Sequence, residues 1–256
     1  QLVEKVQQEI DDLGVETDGR GWRAKAYLYC VEVICPESGW SVPLLPTLIV
    51  SASKFVVVNL IAIESEKRYA IEVKYCTDKN EMEMQNKPTV SGGYLVHSPS
   101  SDQEYRSKIS SVRGDIRIGR NTTSALRKWE KGDFIPREND IFQERLYCVQ
   151  WEKLANGKSR LETEFRSVTK DDLDREAKVI RYVKNHFKEW QEKGYIPDMV
   201  IEKGYNTDQP IRERGWTHWH HLFAPRQLLM LGIIKKTLLT DPDFAEQLYI
   251  SFSRLL

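Results

Sequence analysis

The stretch TKDDLDREAKVIRYVKNHFKEWQEKG, residues 169–194, restricts the fold of this chain more than any other. Thr169 with Asp172 three residues later is the grammar of a helix N-terminus, and the acidic first turn suits the positive end of the helix dipole. Leu173, Ala177, Ile180, Val183, Phe187 and Trp190 follow at helical spacing as one apolar stripe, and Gly194 closes the run. The opposite face is Lys, Arg, Glu and Asp. His186 lies beside the stripe and reads as a boundary histidine rather than a ligand.

Two further helices are expected. Leu2, Val6, Ile10 and Leu13 form a short stripe ending at Gly14, and Pro225 suits the first turn of a helix that is apolar on nearly every side from Leu228 to Leu239. Asp241 with Pro242 reads as the start of one more. Strands are expected at Lys25–Cys35, Thr47–Ile63, Lys67–Cys76 and Arg145–Trp151, all rich in β-branched and aromatic residues. CPESGWSVPLLP is turn chemistry, 77–111 reads as a long loop or weak hairpin, and a charged hairpin is expected around Asn156–Gly157. The pattern predicts an α+β fold without internal repeats: a β-rich region over 1–165 and a helical region over 166–256.

Several kinds of chemistry find no support in the residues. Charges balance at 38 basic and 38 acidic side chains, so only a local patch can attract nucleic acid. No apolar run approaches the roughly 20 residues of a membrane span. Cys30, Cys35, Cys76 and Cys148 form no CxxC pair and read as free buried thiols of a cytoplasmic protein. Glu72 and Lys74 make the ExK half of a metal-dependent nuclease site, but the preceding strand has no Asp to complete it; outward-facing strand charges explain them. Gly92–Gly93 is isolated, and DPDF at Asp241–Phe244 reads as a helix cap. CPESG, Cys35–Gly39, has the outline of a zinc knuckle with Ser38 in place of the second thiolate. His218, His220 and His221 are too closely spaced to converge on one ion without a bend. No metal site is expected.

The nucleic-acid footprint is the segment Tyr105–Lys131, where eight Lys or Arg face only Asp115 and Glu130. Arg113, Arg117, Arg120, Arg127 and Lys128 are candidates for phosphate contact, with Arg137 and Arg145 just beyond. A solvated basic loop would have the same composition.

AYLYCVEVICPESGWSVPLLPTLIVS, DFIPRENDIFQERLYCVQW and RGWTHWHHLFAPRQLLMLG occur here in that order. Together they resemble the zinc-ribbon-containing, adenine-specific DNA methylase family of bacteria and archaea, over roughly Lys25–Leu256. The first run is similar to the family's CPxCGxxVPL ribbon, and the last to its DLFTPRQLLAL-type helix start. Arg214, Trp216, His218, Trp219, His220, His221, Phe223, Pro225, Arg226 and Gln227 carry the latter. The resemblance implies an internal region, with the Gly-rich cofactor motif upstream and the DPPY-type motif downstream; both ends of the chain read as cut. It implies S-adenosylmethionine as cofactor of the parent protein and none in this chain. No catalytic residue corresponds, and of the zinc ligands only Cys35 does. The partners implied are DNA and the catalytic domain of the same protein, on which 166–256 would dock. The biology implied is DNA modification and phage defence. The alternative is a protein-interaction module of such a complex.

Overall fold

The computed structural model describes residues 2–119, 121–154, 161–205 and 207–240. Arg120, the hairpin expected around Asn156–Gly157 and the Asp241–Phe244 cap lie outside them. The fold is α+β. Helix α1 (Leu2–Leu13) leads into the long strand β1 (Arg23–Ile34), then β2 (Ser41–Leu44), β3 (Ile49–Ser51), β4 (Val56–Ile63) and β5 (Arg68–Tyr75). Helix α2 (Lys79–Gln85), strands β6 (Val90–Ser91), β7 (Tyr94–Ser100) and β8 (Gln103–Lys108), and the turn of helix α3 (Ile109–Val112) follow. A ribbon of β9 (Ile116–Ile118) and β10 (Asn121–Thr123) precedes β11 (Gln143–Leu154) and β12 (Leu161–Ser167). Helices α4 (Lys170–Glu192), α5 (Asp208–Arg214) and α6 (Pro225–Thr240) complete the described chain.

Seven strands form one sheet in the order β12-β11-β1-β2-β5-β4-β3, antiparallel except for the single β2–β5 pairing at Ser41 and Arg68. The sheet curls until β12 meets β5 across three intervening strands: Ser167 Oγ accepts from the Val73 amide at 2.8 Å, and the Tyr75 hydroxyl from the Phe165 amide at 2.7 Å. Residues 47–63, expected as one strand, are two. A 3-10 turn at Ala52–Lys54 breaks them, and Phe55 takes a left-handed conformation (φ 51°) that no ladder accommodates. β2 runs through the proline-rich turn; Pro43 is tolerated because pairing on the β5 side is confined to Ser41. Within 77–111, α2 is capped by the Asp78 carboxylate, which accepts from the Glu81 amide at 2.9 Å. β6, β7 and β8 make a separate three-stranded sheet.

The helical layer is not confined to 166–256. Val6, Ile10 and Val15 from the first segment, and Phe134 from the middle, share one core with Val183, Phe187 and Trp190 of α4 and Leu228, Leu229 and Ile233 of α6. At the crossing of α4 and α6 there is no room for a side chain on Gly232: a Cβ there would lie 2.3 Å from the Trp190 ring. The capping box of α4 forms as expected. Its first turns depart from the predicted stripe, however. Asp172 and Glu176 are buried, while Leu173 is 53% exposed and Ala177 faces solvent. Charge pairing sets that orientation, because Glu176 and Asp172 find their partners inside. No helix among the described residues is long and apolar enough to cross a membrane.

Candidate nucleic-acid interface

Most of the basic candidates already have anionic or carbonyl partners. Arg127 grips Asp140 with two bonds of 2.7 Å and Asp133 with one of 2.6 Å. Arg137 bonds Asp133 and lies 3.0 Å from Glu130. Lys128 donates to the Ile211 carbonyl at 2.6 Å, and burial holds its ammonium below the usual lysine range. Arg113 makes a bidentate pair with Asp115 (2.7 and 3.2 Å) beneath the β9–β10 ribbon. Arg145 donates from Nη1 to Glu32 (2.7 Å) and to the Tyr69 carbonyl (2.8 Å). Arg117 differs, with one bond to the Gly119 carbonyl and its side chain in solvent.

Arg117 is at the centre of β9, between Ile116 and Ile118, which are 61% and 66% exposed. β10 pairs with it residue for residue, Thr122 opposite Arg117. No carboxylate occurs anywhere in residues 116–129. The ribbon is braced at its base, where Ala125 donates to the Arg113 carbonyl (3.0 Å) and Ser124 to that of Arg212 (3.3 Å). It is thus a narrow two-stranded arm, basic and apolar at once, on a rigid footing.

The junction 214–232 fastens this region to the helical layer. Helix α5, absent from the sequence expectation, ends at Gly215, whose φ of 76° and 2.1 Å approach of a built Cβ to the Arg127 carbonyl both demand glycine. The three histidine rings meet, with centroids 4.3–5.5 Å apart. His220 and His221, however, turn nitrogens to the backbone, while His218 Nδ1 lies 2.9 Å from the Thr217 hydroxyl. His221 Nδ1 accepts from the amides of Thr217 (3.1 Å) and His218 (3.2 Å), so its Nε2–H donates to the Glu130 carbonyl (3.1 Å). His220 Nε2 pairs with the Asp133 carbonyl at 3.1 Å. Burial keeps both neutral, lowering His220 to about 4 and His221 to about 3. The histidines clamp the 129–133 segment. Trp216 packs edge-on to Trp129, Trp219 opens the short 3-10 turn Trp219–Leu222, and Phe223 joins the helical core before Pro225 starts α6. Gln227 accepts from the Ala224 amide, capping that start.

The knuckle-like turn also forms: Gly39 donates to the Cys35 carbonyl at 2.8 Å, and the β7–β8 hairpin covers it. Cys35 Sγ lies 3.7 Å from Ser107 Oγ, and Ser38 Oγ lies 3.0 Å from His97 Nε2, whose Nδ1 is 2.9 Å from the Tyr69 hydroxyl. One thiol, one imidazole and three hydroxyls do not fit zinc, because a hydroxyl does not supply a thiolate's charge. Among the described residues no group of three or more His, Cys, Asp or Glu is placed to hold a metal ion. The four cysteines are buried and unbridged. Lys74 pairs with Glu81 at 2.9 Å rather than with a metal-binding carboxylate set.

Beside the junction, under the start of α4, lies a cleft of about 490 Å³ that the sequence did not disclose. Glu176 stands on its wall, accepting from the Tyr29 hydroxyl (2.8 Å) and from Arg226 Nε (2.6 Å). Arg226 stacks over the Tyr27 ring at 3.6 Å, and its Nη2 has no partner. Glu144, on β11, has no hydrogen bond or ion pair with a described residue. The surrounding protein raises its carboxyl above the usual range, Arg214 opposing that shift and Glu176 adding to it. Arg214 lies over Phe142 and Trp216, and the Glu144 and Glu213 carboxylates oppose the lowering that burial imposes on it. The sequence held one signal for this cleft, Glu176 beside the apolar stripe of α4, and it could not be told from ordinary surface charge.

No protein family, no curated protein and no solved structure gave a match to this chain.

Proposed function

We propose that this chain is a noncatalytic region of an adenine-specific DNA methyltransferase and that it contacts duplex DNA through the β9–β10 ribbon. The methyltransferase assignment rests on the motif resemblance; S-adenosylmethionine belongs to the catalytic part that the resemblance places outside these residues. The DNA assignment rests on one observation, the braced ribbon with Arg117 exposed, bonded to the Gly119 carbonyl alone, between two exposed isoleucines. Two-stranded ribbons enter DNA grooves, arginine neutralises phosphate, and apolar side chains wedge between base steps. Arg113, Arg127 and Arg137 act in this reading as the footing of the ribbon and its loop, not as phosphate contacts.

Fluorescence anisotropy of a labelled duplex with the chain, at two salt concentrations, tests it. Arg117→Glu is expected to weaken binding and to reduce the salt slope by about 1. Ile116→Ser with Ile118→Ser, which removes the apolar side chains without adding charge, is expected to weaken binding with little change of slope. Unchanged affinity in both variants would remove the ribbon from the account. The exposed isoleucines also favour a second reading, a protein-interaction arm of a DNA-modification complex, for which the duplex would show no salt-dependent binding at all.

A further inference from the structure

Strand β1 is paired by β11 along the whole of one edge, from Arg23 to Glu32. Its other edge is covered only at the ends. The Ala24 amide donates to the Glu16 carbonyl at 2.7 Å, and β2 pairs from Val31 to Ile34. Between these ends no described residue pairs with the strand on that side. Residues 25–30 thus leave an open stretch of about 20 Å, room for about five residues of added strand.

Antiparallel pairing turns the main-chain groups of alternate residues to alternate edges. Glu32 is opposite Pro43, which has no N–H to give, so Glu32 bonds to β11 while Val31 and Val33 bond to β2. At the other end Ala24 faces residue 16, and the bulge at Lys25 resets the alternation. Both ends give the same result: the N–H and C=O groups of Tyr27 and Tyr29 face the open edge. Their side chains are anchored inward, Tyr27 donating to the Val15 carbonyl (3.0 Å) and Tyr29 to Glu176 (2.8 Å).

This edge is one wall of a groove of about 640 Å³. The opposite wall is apolar and half-buried: Phe223, Ala224, and Met230 and Leu231 of α6. Arg226 also lines the groove; it is 8% exposed, and its Nη2 has no acceptor. The charges there are matched within the chain, Glu16 by Arg23 (2.7 Å), Lys25 by Glu152 (2.9 Å) and Arg226 by Glu176 (2.6 Å). The occupant is therefore selected by main-chain hydrogen bonds and apolar contact rather than by charge. An extended peptide brings N–H and C=O groups at the repeat of a strand edge, with every second side chain on one face.

We propose that this groove binds an extended peptide segment of a partner protein. The segment adds a strand to β1 at Tyr27 and Tyr29 and turns alternate apolar side chains onto Phe223, Met230 and Leu231. One of its carbonyls accepts from Arg226 Nη2. This inference uses none of the ribbon residues and goes beyond the DNA-contact reading.

Selection from a phage-displayed random heptapeptide library on the chain tests it, followed by fluorescence anisotropy with the selected peptide. Selected sequences are expected to carry apolar residues at alternate positions. Methylating an amide nitrogen that faces β1 is expected to lower affinity at least tenfold, and methylating the one beside it to change little. That contrast needs no variant of the protein. Leu231→Glu is expected to lower affinity at least tenfold, and Arg117→Glu to leave it unchanged. Hydrogen exchange followed by NMR adds a readout on the free chain: the Tyr27 and Tyr29 amides should exchange faster than those of Leu28 and Cys30, and slow when peptide binds. No enriched peptide, or affinity indifferent to methylation at every position, would overturn the proposal. So would binding lost in Arg117→Glu but kept in Leu231→Glu, or Tyr27 and Tyr29 amides as protected as their neighbours in the free chain.

Discussion

The two halves of α4 are built in opposite ways. The C-terminal half buries Val183, Phe187 and Trp190 against α6 so closely that Gly232 has no space for a methyl group, and the ring of His220 meets Phe187 edge-on. The N-terminal half turns two carboxylates inward, leaves Leu173 outside and borders a cleft. One helix thus serves as a dry support at one end and as a wall of a charged recess at the other. A close-packed interface tolerates little change in volume; a recess that water reaches tolerates substitution more readily.

The comparison breaks first, if it breaks, at Gly232. Gly232→Ala drives a carbon into the Trp190 ring and is expected to destabilise the protein by about 3 kcal/mol, measured by urea unfolding. Near-neutral behaviour would mean that the dry half can give way as readily as the recess.

Acidification should separate the halves by sign. His220 and His221 have folded values depressed to about 4 and about 3, so the stability they secure is present above the unfolded value near 6.5 and is lost as pH falls through the folded ones. At pH 5 this amounts to roughly 2 kcal/mol per histidine. Glu144 has a raised folded value, so its contribution is fully present below the ordinary glutamate range and is lost as pH rises through the raised value. Unfolding midpoints followed from pH 7 to pH 5 should therefore fall. A flat profile would show that the histidines accept protons without loosening the clamp on residues 129–133.

The smallest effect sharpens the other half. Glu144→Gln removes a carboxylate without a hydrogen bond to a described residue and should leave stability unchanged or raise it by under about 1 kcal/mol, since the group touches water. Thermal melts of the variant check this. A marked loss of stability would make Glu144 a structural residue held by Arg214.

Much of the architecture was legible in local pattern. The cap at Thr169, the Pro225 helix start and strands β1, β4, β5 and β11 follow from side-chain chemistry within a few residues, which is why they could be read. Helix α5 and the turn of α3 were not, because each is too short to build a periodic signal. The basic segment shows the limit most clearly. Composition marked Arg113, Arg117, Arg127 and Lys128 alike, yet of these four only Arg117 stands in solvent with a single local carbonyl bond, because Asp115, Asp133, Asp140 and the Ile211 carbonyl neutralise or bind the others.

By itself the sequence determined that this chain is α+β, where α1, α4, α6 and the strands β1, β4, β5 and β11 run, and that its charge is local rather than global. Tertiary structure decided which charges remain available and where the recess lies. Pairing is a matter of distance in space: Glu32 reaches Arg145 across 113 positions, and Glu176 reaches Arg226 across 50. Periodicity along one helix cannot show that two of its carboxylates have partners inside, and so it could not foresee Leu173 turned outward onto the recess.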